Sequence, residues 1–230
     1  LRALKETGKP IVLITLSGRP LDLSWEDENL DAILQAWFPG TQGGHGIADV
    51  IAGDYNPSAR LVMSFPRNVG QIPIYYNQKN TGRPVDLSNE KIDYKSSYLD
   101  TSITPLYPFG YGLSYSDVKL DKSSMKAAND RITVTAKLQN SGPRDGDMVV
   151  QLYIRDQVGS VTRPVKELKG FQKVNLKAGE SKQVSFELLS EDLAFYGIDM
   201  KKKTEPGNFK LWIAQSSADN SNETSFTVTQ

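Results

Sequence analysis

WFPGTQGGHGIADVIAGDYNPSARLVMSFP, residues 37–66, is the stretch on which the reading of this fold turns. The segment leading into it, residues 32–38, is strand-like and breaks at Pro39-Gly40. Gly43, Gly44 and Gly46 then open an apolar-periodic run, Ile47, Val50 and Ile51, which predicts one or two helical turns stopped by Gly53. Strand, glycine turn and helix start together make an α/β crossover. In open α/β sheets ligands collect at the carboxyl ends of the strands, so chemistry is expected on the edge where this turn lies. Beyond the helix, Asp54-Tyr55-Asn56-Pro57-Ser58 is turn-forming at nearly every position, and residues 60–65 read as extended before Pro66.

Upstream, residues 11–16 form an unbroken apolar and β-branched run, the pattern of a strand buried on both faces of a parallel sheet. Ser17-Gly18-Arg19-Pro20 ends it. Ser24, followed by Glu26, Asp27 and Glu28, reads as an N-cap with acids in the first helical turn, where they complement the helix dipole. The opening LRALKETG reads as the last turns of a helix capped by Gly8, so the chain is expected to be a piece of something longer. Two strands and two helices with right-handed crossovers make only a partial sheet, and two parallel strands cannot bury both faces alone.

Downstream the character changes twice. Residues 67–116 carry few helix signals and many prolines, tyrosines and asparagines, which predicts a long ordered linker packed against both flanking units. Past residue 117 the apolar period becomes two, at residues 131–138, 149–154, 183–188, 209–213 and 225–228, with turns at Asn140-Ser-Gly-Pro, Ala178-Gly179 and Glu205-Pro-Gly. Such spacing argues an antiparallel β-sandwich. The fold class is thus α/β plus all-β: a mostly parallel partial α/β sandwich over residues 1–66, a linker over 67–116 and a β-sandwich over 117–230.

The 230 residues carry 27 basic and 27 acidic side chains, balanced in both halves, so nothing points to nucleic acid or to a membrane surface. There is no cysteine, which excludes disulfides and thiolate metal sites. No run approaches the roughly 18 apolar residues of a membrane span.

The order of Trp-Phe-Pro-Gly, Gly-Gly, Ile-Ala-Asp-Val, Gly-Asp-Tyr-Asn-Pro-Ser and Ser-Phe-Pro resembles the second domain of glycoside hydrolase family 3. Gln71-Ile-Pro-Ile-Tyr-Tyr76, Asn80-Thr-Gly-Arg-Pro84 and Leu106-Tyr-Pro-Phe-Gly-Tyr-Gly-Leu-Ser-Tyr115 resemble its β-glucosidase branch, whose members are periplasmic or secreted. The resemblance covers essentially the whole chain. It implies that residues 117–230 are a fibronectin type III-like domain, with Phe171, Pro206-Gly207 and Phe209 as its core and turn residues. It further implies a retaining enzyme that hydrolyses terminal non-reducing β-D-glucosyl residues without a cofactor. In the family the nucleophilic aspartate belongs to an N-terminal barrel and the acid/base glutamate to a loop before the helix whose tail is here residues 1–8, so both are expected upstream of Leu1.

The residues themselves agree. A retaining glycosidase needs two carboxyl groups held ~5 Å apart. The acids Glu26, Asp27, Glu28 and Asp31 lie on one polar helix and beside it, Asp49 inside the glycine-led helix, and Asp54, Asp86, Asp93 and Asp100 in turns and loops; no converging pair emerges. His45 is the only histidine, so a two-histidine metal site is excluded. Gly44-His45-Gly46-Ile-Ala-Asp49 distantly resembles GxGxxG but lacks the third glycine. The candidate substrate rim is Trp37, Thr41, Gln42 and His45, on the same sheet edge as Ser17-Gly18-Arg19-Pro20. Against it stands plain packing, because tight βα turns need glycine with or without a ligand. Lys201-Lys202-Lys203 reads as a solvated loop and Asn222-Glu223-Thr224 as a formal glycosylation sequon. A second function class stays open, a stand-alone carbohydrate-binding or scaffolding module.

Overall fold

A computed structural model describes residues 1–85, 94–128 and 131–229. Asp86 and Asp93 lie outside the described residues. The first part runs α1 (Arg2–Lys5), β1 (Val12–Thr15), α2 (Ser24–Asn29), β2 (Ala32–Gln35) and α3 (Gly43–Ala52). β1 and β2 are parallel, with Val12 opposite Ala32 and Thr15 opposite Gln35. Gly8 and Gly53 both take left-handed φ, which only glycine adopts without penalty; Gly53 caps α3, whereas α1 is capped at Glu6 and Gly8 closes the turn after it.

Three expectations need correction here. Residues 11–16 are not buried on both faces, since Val12 is 50% and Leu16 61% exposed; a two-stranded sheet has no neighbours to cover it. The strand expected over 32–38 stops at Gln35, and Trp37 sits at φ +53°, which no strand accommodates. Ser24 is the first helical residue rather than the cap: Asp22 accepts its backbone N–H, and its hydroxyl donates to the Arg67 carbonyl, tying the linker to α2. Helix α3, in turn, is longer than the apolar period alone indicated.

The second part is a sandwich of two antiparallel sheets. β3 (Val118–Leu120) and β4 (Ser124–Ala128) pair in succession along one edge of β5 (Arg131–Asn140), and β8 (Ser181–Leu189) along the other. The facing sheet runs β12 (Glu223–Val228), β11 (Gly207–Ala214), β6 (Gly146–Asp156) and β7 (Glu167–Leu176). A short hairpin, β9 (Phe195–Tyr196) with β10 (Lys202–Lys203), fills the connection between β8 and β11. The core is made by the inward positions of both sheets, among them Val134, Leu138, Val150, Leu152, Leu176, Phe186, Phe209 and Leu211.

Phe171 is not part of it: β7 turns Val174 and Leu176 inward, and Phe171, of opposite parity, is 67% exposed. Phe209 is buried as expected. Lys202 and Lys203 are paired strand residues rather than loop, though exposed. Asn222 is no glycosylation acceptor, because it is buried and its amide is spent on the Ser123 N–H and the Asp121 carbonyl.

The linker joins the parts by covering the outer face of β6 and β11. Tyr76 stacks on Phe109 at 4.3 Å between centroids and meets Tyr153 edge-on at 5.9 Å; Tyr153, Trp212 and Ala214 are thereby buried on the side away from the sandwich core. This double coverage explains why residues 150–154 of β6 are buried without alternation. Gln151 donates to the Gly110 and Gln215 carbonyls and accepts the Tyr153 hydroxyl. At the other end Asn56 binds Ser114, Ser116, Tyr115 and Asp145, so one side chain clasps turn, linker and sandwich.

Candidate functional site

The crossover turn places the four candidate rim residues at the carboxyl end of β2, though not as a converged set. Gln42 immediately precedes α3 and accepts the His45 N–H through its carbonyl. Thr41, Gln42 and His45 are exposed. Trp37 is half-buried, because its ring rests edge-on against the buried Phe65 at 5.9 Å. Core packing therefore claims one face of Trp37.

The glycines of the turn divide by role. A Cβ on Gly43 would lie 2.5 Å from the Pro39 ring, so this position must be glycine for the turn to close. Gly44 and Gly46 meet nothing within 4 Å. Packing within this chain explains one of the three glycines and leaves the other two on an open surface. Beside them, Phe38 is 80% exposed, and its ring covers Gly18, where a Cβ would come within 2.8 Å of it. The 17–20 turn and the 37–45 turn thus meet on one edge, as their positions after β1 and β2 predict.

Two acids of this part serve structure. Asp31 accepts the Ile11 N–H at 2.7 Å, and Asp27 accepts the Tyr107 hydroxyl at 2.5 Å. Burial first, and then that carboxylate, push the Tyr107 phenol up. Tyr107 stacks on Tyr111 and its backbone bridges Phe65, so α2 is fastened to the linker through one carboxylate. Arg60, half-buried with its guanidinium pKa lowered by burial, donates to the Gly112 carbonyl. Among the described residues no group of three His, Cys, Asp or Glu side chains is placed to hold a metal.

Two features escaped sequence reasoning. A cavity of about 340 Å³ opens in the linker, lined by Gln71, Ile74, Asn80, Thr81, Ser96 and Tyr98. Nothing periodic marks it, since its walls come from irregular loops. The other is Lys166, 5% exposed, whose ammonium donates to the Ser217 and Asp219 carbonyls and to Asn220 Oδ1 while lying over the rings of Trp212 and Tyr153. Burial lowers its pKa to about 8. A lone lysine between Val165 and Glu167 gives no sequence signal of burial.

Comparison with known proteins fits both halves of this architecture. Residues 1–115 match the glycosyl hydrolase family 3 C-terminal domain and residues 148–217 the fibronectin type III-like domain. The chain is 51% identical over 221 residues to a periplasmic beta-glucosidase of Salmonella typhimurium, covering 94% of this chain and 29% of that one. It is 43% identical over 232 residues to a beta-xylosidase of Formosa agariphila, covering 98% of this chain and 31% of that one. Among solved structures, the beta-glucosidase from Listeria innocua in complex with isofagomine superposes with a TM-score of 0.91 at 43% identity, over 98% of this chain and 31% of that one. The chain thus spans under a third of the length of these relatives. It belongs to glycosyl hydrolase family 3, carrying that family's C-terminal domain followed by a fibronectin type III-like domain.

Proposed function

We propose that this chain is the carboxyl-terminal portion of a retaining β-glucosidase that removes terminal non-reducing β-D-glucosyl residues, and that both catalytic carboxylates come from sequence preceding Leu1. The observation that carries the reading is the unfinished sheet: β1 and β2 expose apolar side chains that further strands and helices of the same domain would cover. Asp31, at the amino end of β2, and Asp27 of α2 are occupied with backbone and tyrosine partners, which supports placing the catalytic pair elsewhere.

On this reading the chain divides at 1–66, 67–116 and 117–230. The first unit contributes to the α/β sandwich domain, the linker fixes its attitude, and the fibronectin type III-like domain is the folded base. The partner it requires is the N-terminal barrel, the substrate is a β-glucoside or oligosaccharide, no cofactor takes part, and the setting is periplasmic or secreted. Trp37, Thr41, Gln42 and His45 form the outer rim of the substrate site, with Gly44 and Gly46 leaving room above the start of α3.

The test is a graft. The chain replaces the matching segment of the Salmonella typhimurium beta-glucosidase, and hydrolysis of an aryl β-glucoside is measured beside a graft carrying Gln42→Ala. Activity of the first graft is expected, with kcat/KM about tenfold lower in the second, a loss of about 1.4 kcal/mol of transition-state stabilisation at unchanged melting temperature. A correctly folded but inactive graft contradicts the reading. An unchanged kcat/KM for Gln42→Ala removes the rim role alone.

A further inference from the structure

We propose that the β9–β10 hairpin at the far end of the sandwich is a docking surface for an anionic lipid bilayer. The turn between its strands carries Ile198 and Met200, 83% and 79% exposed, and Tyr196 stands out from its stem. Val158, 81% exposed, belongs to the neighbouring 157–160 loop. That loop is held to the hairpin base by Ser160, whose N–H and hydroxyl both donate to Glu205. The stem is anchored by Phe195, which is buried with the Arg163 guanidinium 4.1 Å above its ring. The tip is therefore a fixed projection. It lies at the end of β6 opposite the 141–145 turn, and the linker reaches this end at Gln78 and Lys79, which pair with Val165 and Pro164, while Ile198, Met200 and Val158 stay exposed.

Charge selects the occupant. Lys201, Lys202 and Lys203 follow the apolar turn directly and are exposed. The acids of the hairpin and its base are turned back on the chain: Asp199 pairs with Lys203 at 2.9 Å and accepts the Lys201 N–H, and Glu205 holds Ser160; in the turn before β9, Asp192 accepts the Leu189 N–H. Among the described residues Lys201 and Lys202 have no carboxylate within salt-bridge distance. Apolar side chains at a tip with lysines beside them fit the headgroup boundary of a bilayer, where the former enter the acyl region and the latter meet anionic headgroups. Three side chains on one hairpin and one on the loop beside it fall short of the roughly 800 Å² per partner of a stable protein interface. In the sequence the three lysines read as a solvated loop; the pairing of β10 with β9 sets them on a hairpin beside the apolar turn.

The test is co-sedimentation of the 230-residue chain with vesicles of phosphatidylcholine alone and of phosphatidylcholine with one third phosphatidylglycerol. Preference for the anionic vesicles is expected, weakening as salt is raised. Lys201→Gln and Lys202→Gln should each lower partitioning onto them roughly fivefold. Ile198→Ser with Met200→Ser should lower it further at unchanged melting temperature. Capture by the uncovered faces of β1 and β2 is common to all these variants, so their differences isolate the hairpin. Equal partitioning onto both vesicle types, or hairpin variants that partition like the unaltered chain, would overturn the proposal; so would loss of self-association in place of lipid binding.

Discussion

At the scale of single residues, the three glycines of the crossover turn separate structure from function. Gly43→Ala drives a methyl group into the Pro39 ring, which is fixed to the backbone and cannot swing aside, so a loss of about 1–3 kcal/mol is expected. Gly44→Ala and Gly46→Ala enter open space inside a helix and should each stabilise α3 by up to about 1 kcal/mol. Urea titrations followed by the fluorescence of Trp25 and Trp37 distinguish the cases. A Gly43→Ala chain as stable as the unaltered one would refute the packing role. The sequence marked all three as helix-opening glycines. It did not distinguish among them, because what distinguishes them is the fold of Pro39 back over one position, a contact that no periodicity records.

At the scale of elements, the linker is held to the sandwich by a buried polar and aromatic cluster centred on Gln151, Tyr153 and Lys166. Lys166→Met removes the donor to three oxygens of the 217–220 loop and leaves them unsatisfied, so a loss of about 2–4 kcal/mol is expected. The pH dependence has a definite sign. Lys166 has its pKa lowered by burial to about 8 from the 10.5 of an exposed lysine, so between these values the unfolded chain binds the extra proton and the lysine's contribution to stability rises with pH. Urea midpoints of the unaltered and Lys166→Met chains on either side of pH 8 should diverge further at the higher pH; convergence would refute the assignment. The aromatic linker was legible as an interdomain packing element, since Tyr76 and Phe109 sit where a proline-rich, tyrosine-rich segment needs partners. Its depth was not, because Tyr153 belongs to a strand whose alternation looks ordinary until the second covering layer is seen, and Lys166 lies just ahead of β7, outside any periodic run. The same reason hid β7, whose outward Phe171 and uniformly half-buried residues 167–170 blur the period of two.

At the scale of the whole molecule, the two parts are unequal. Among the described residues before 117, Leu23 and Phe65 are the only hydrophobic side chains buried below a tenth, whereas the sandwich encloses a continuous core between its sheets. Expressed alone, residues 117–230 should unfold cooperatively, while residues 1–116 should bind hydrophobic dye and lack a sharp transition; the opposite pattern would refute the division. The sandwich was legible from alternation and turns because its core is self-contained. The α/β part was legible as a crossover, but its strands run shorter and more exposed than their apolar content implies, since burial in a parallel sheet depends on neighbours that two strands do not supply. The central claim, that this chain holds the frame of a β-glucosidase and not its catalytic pair, is tested most directly by the rate at which the purified chain hydrolyses an aryl β-glucoside. No turnover above background is expected. Turnover that survives repurification and disappears on replacing a single Asp or Glu of this chain would contradict it.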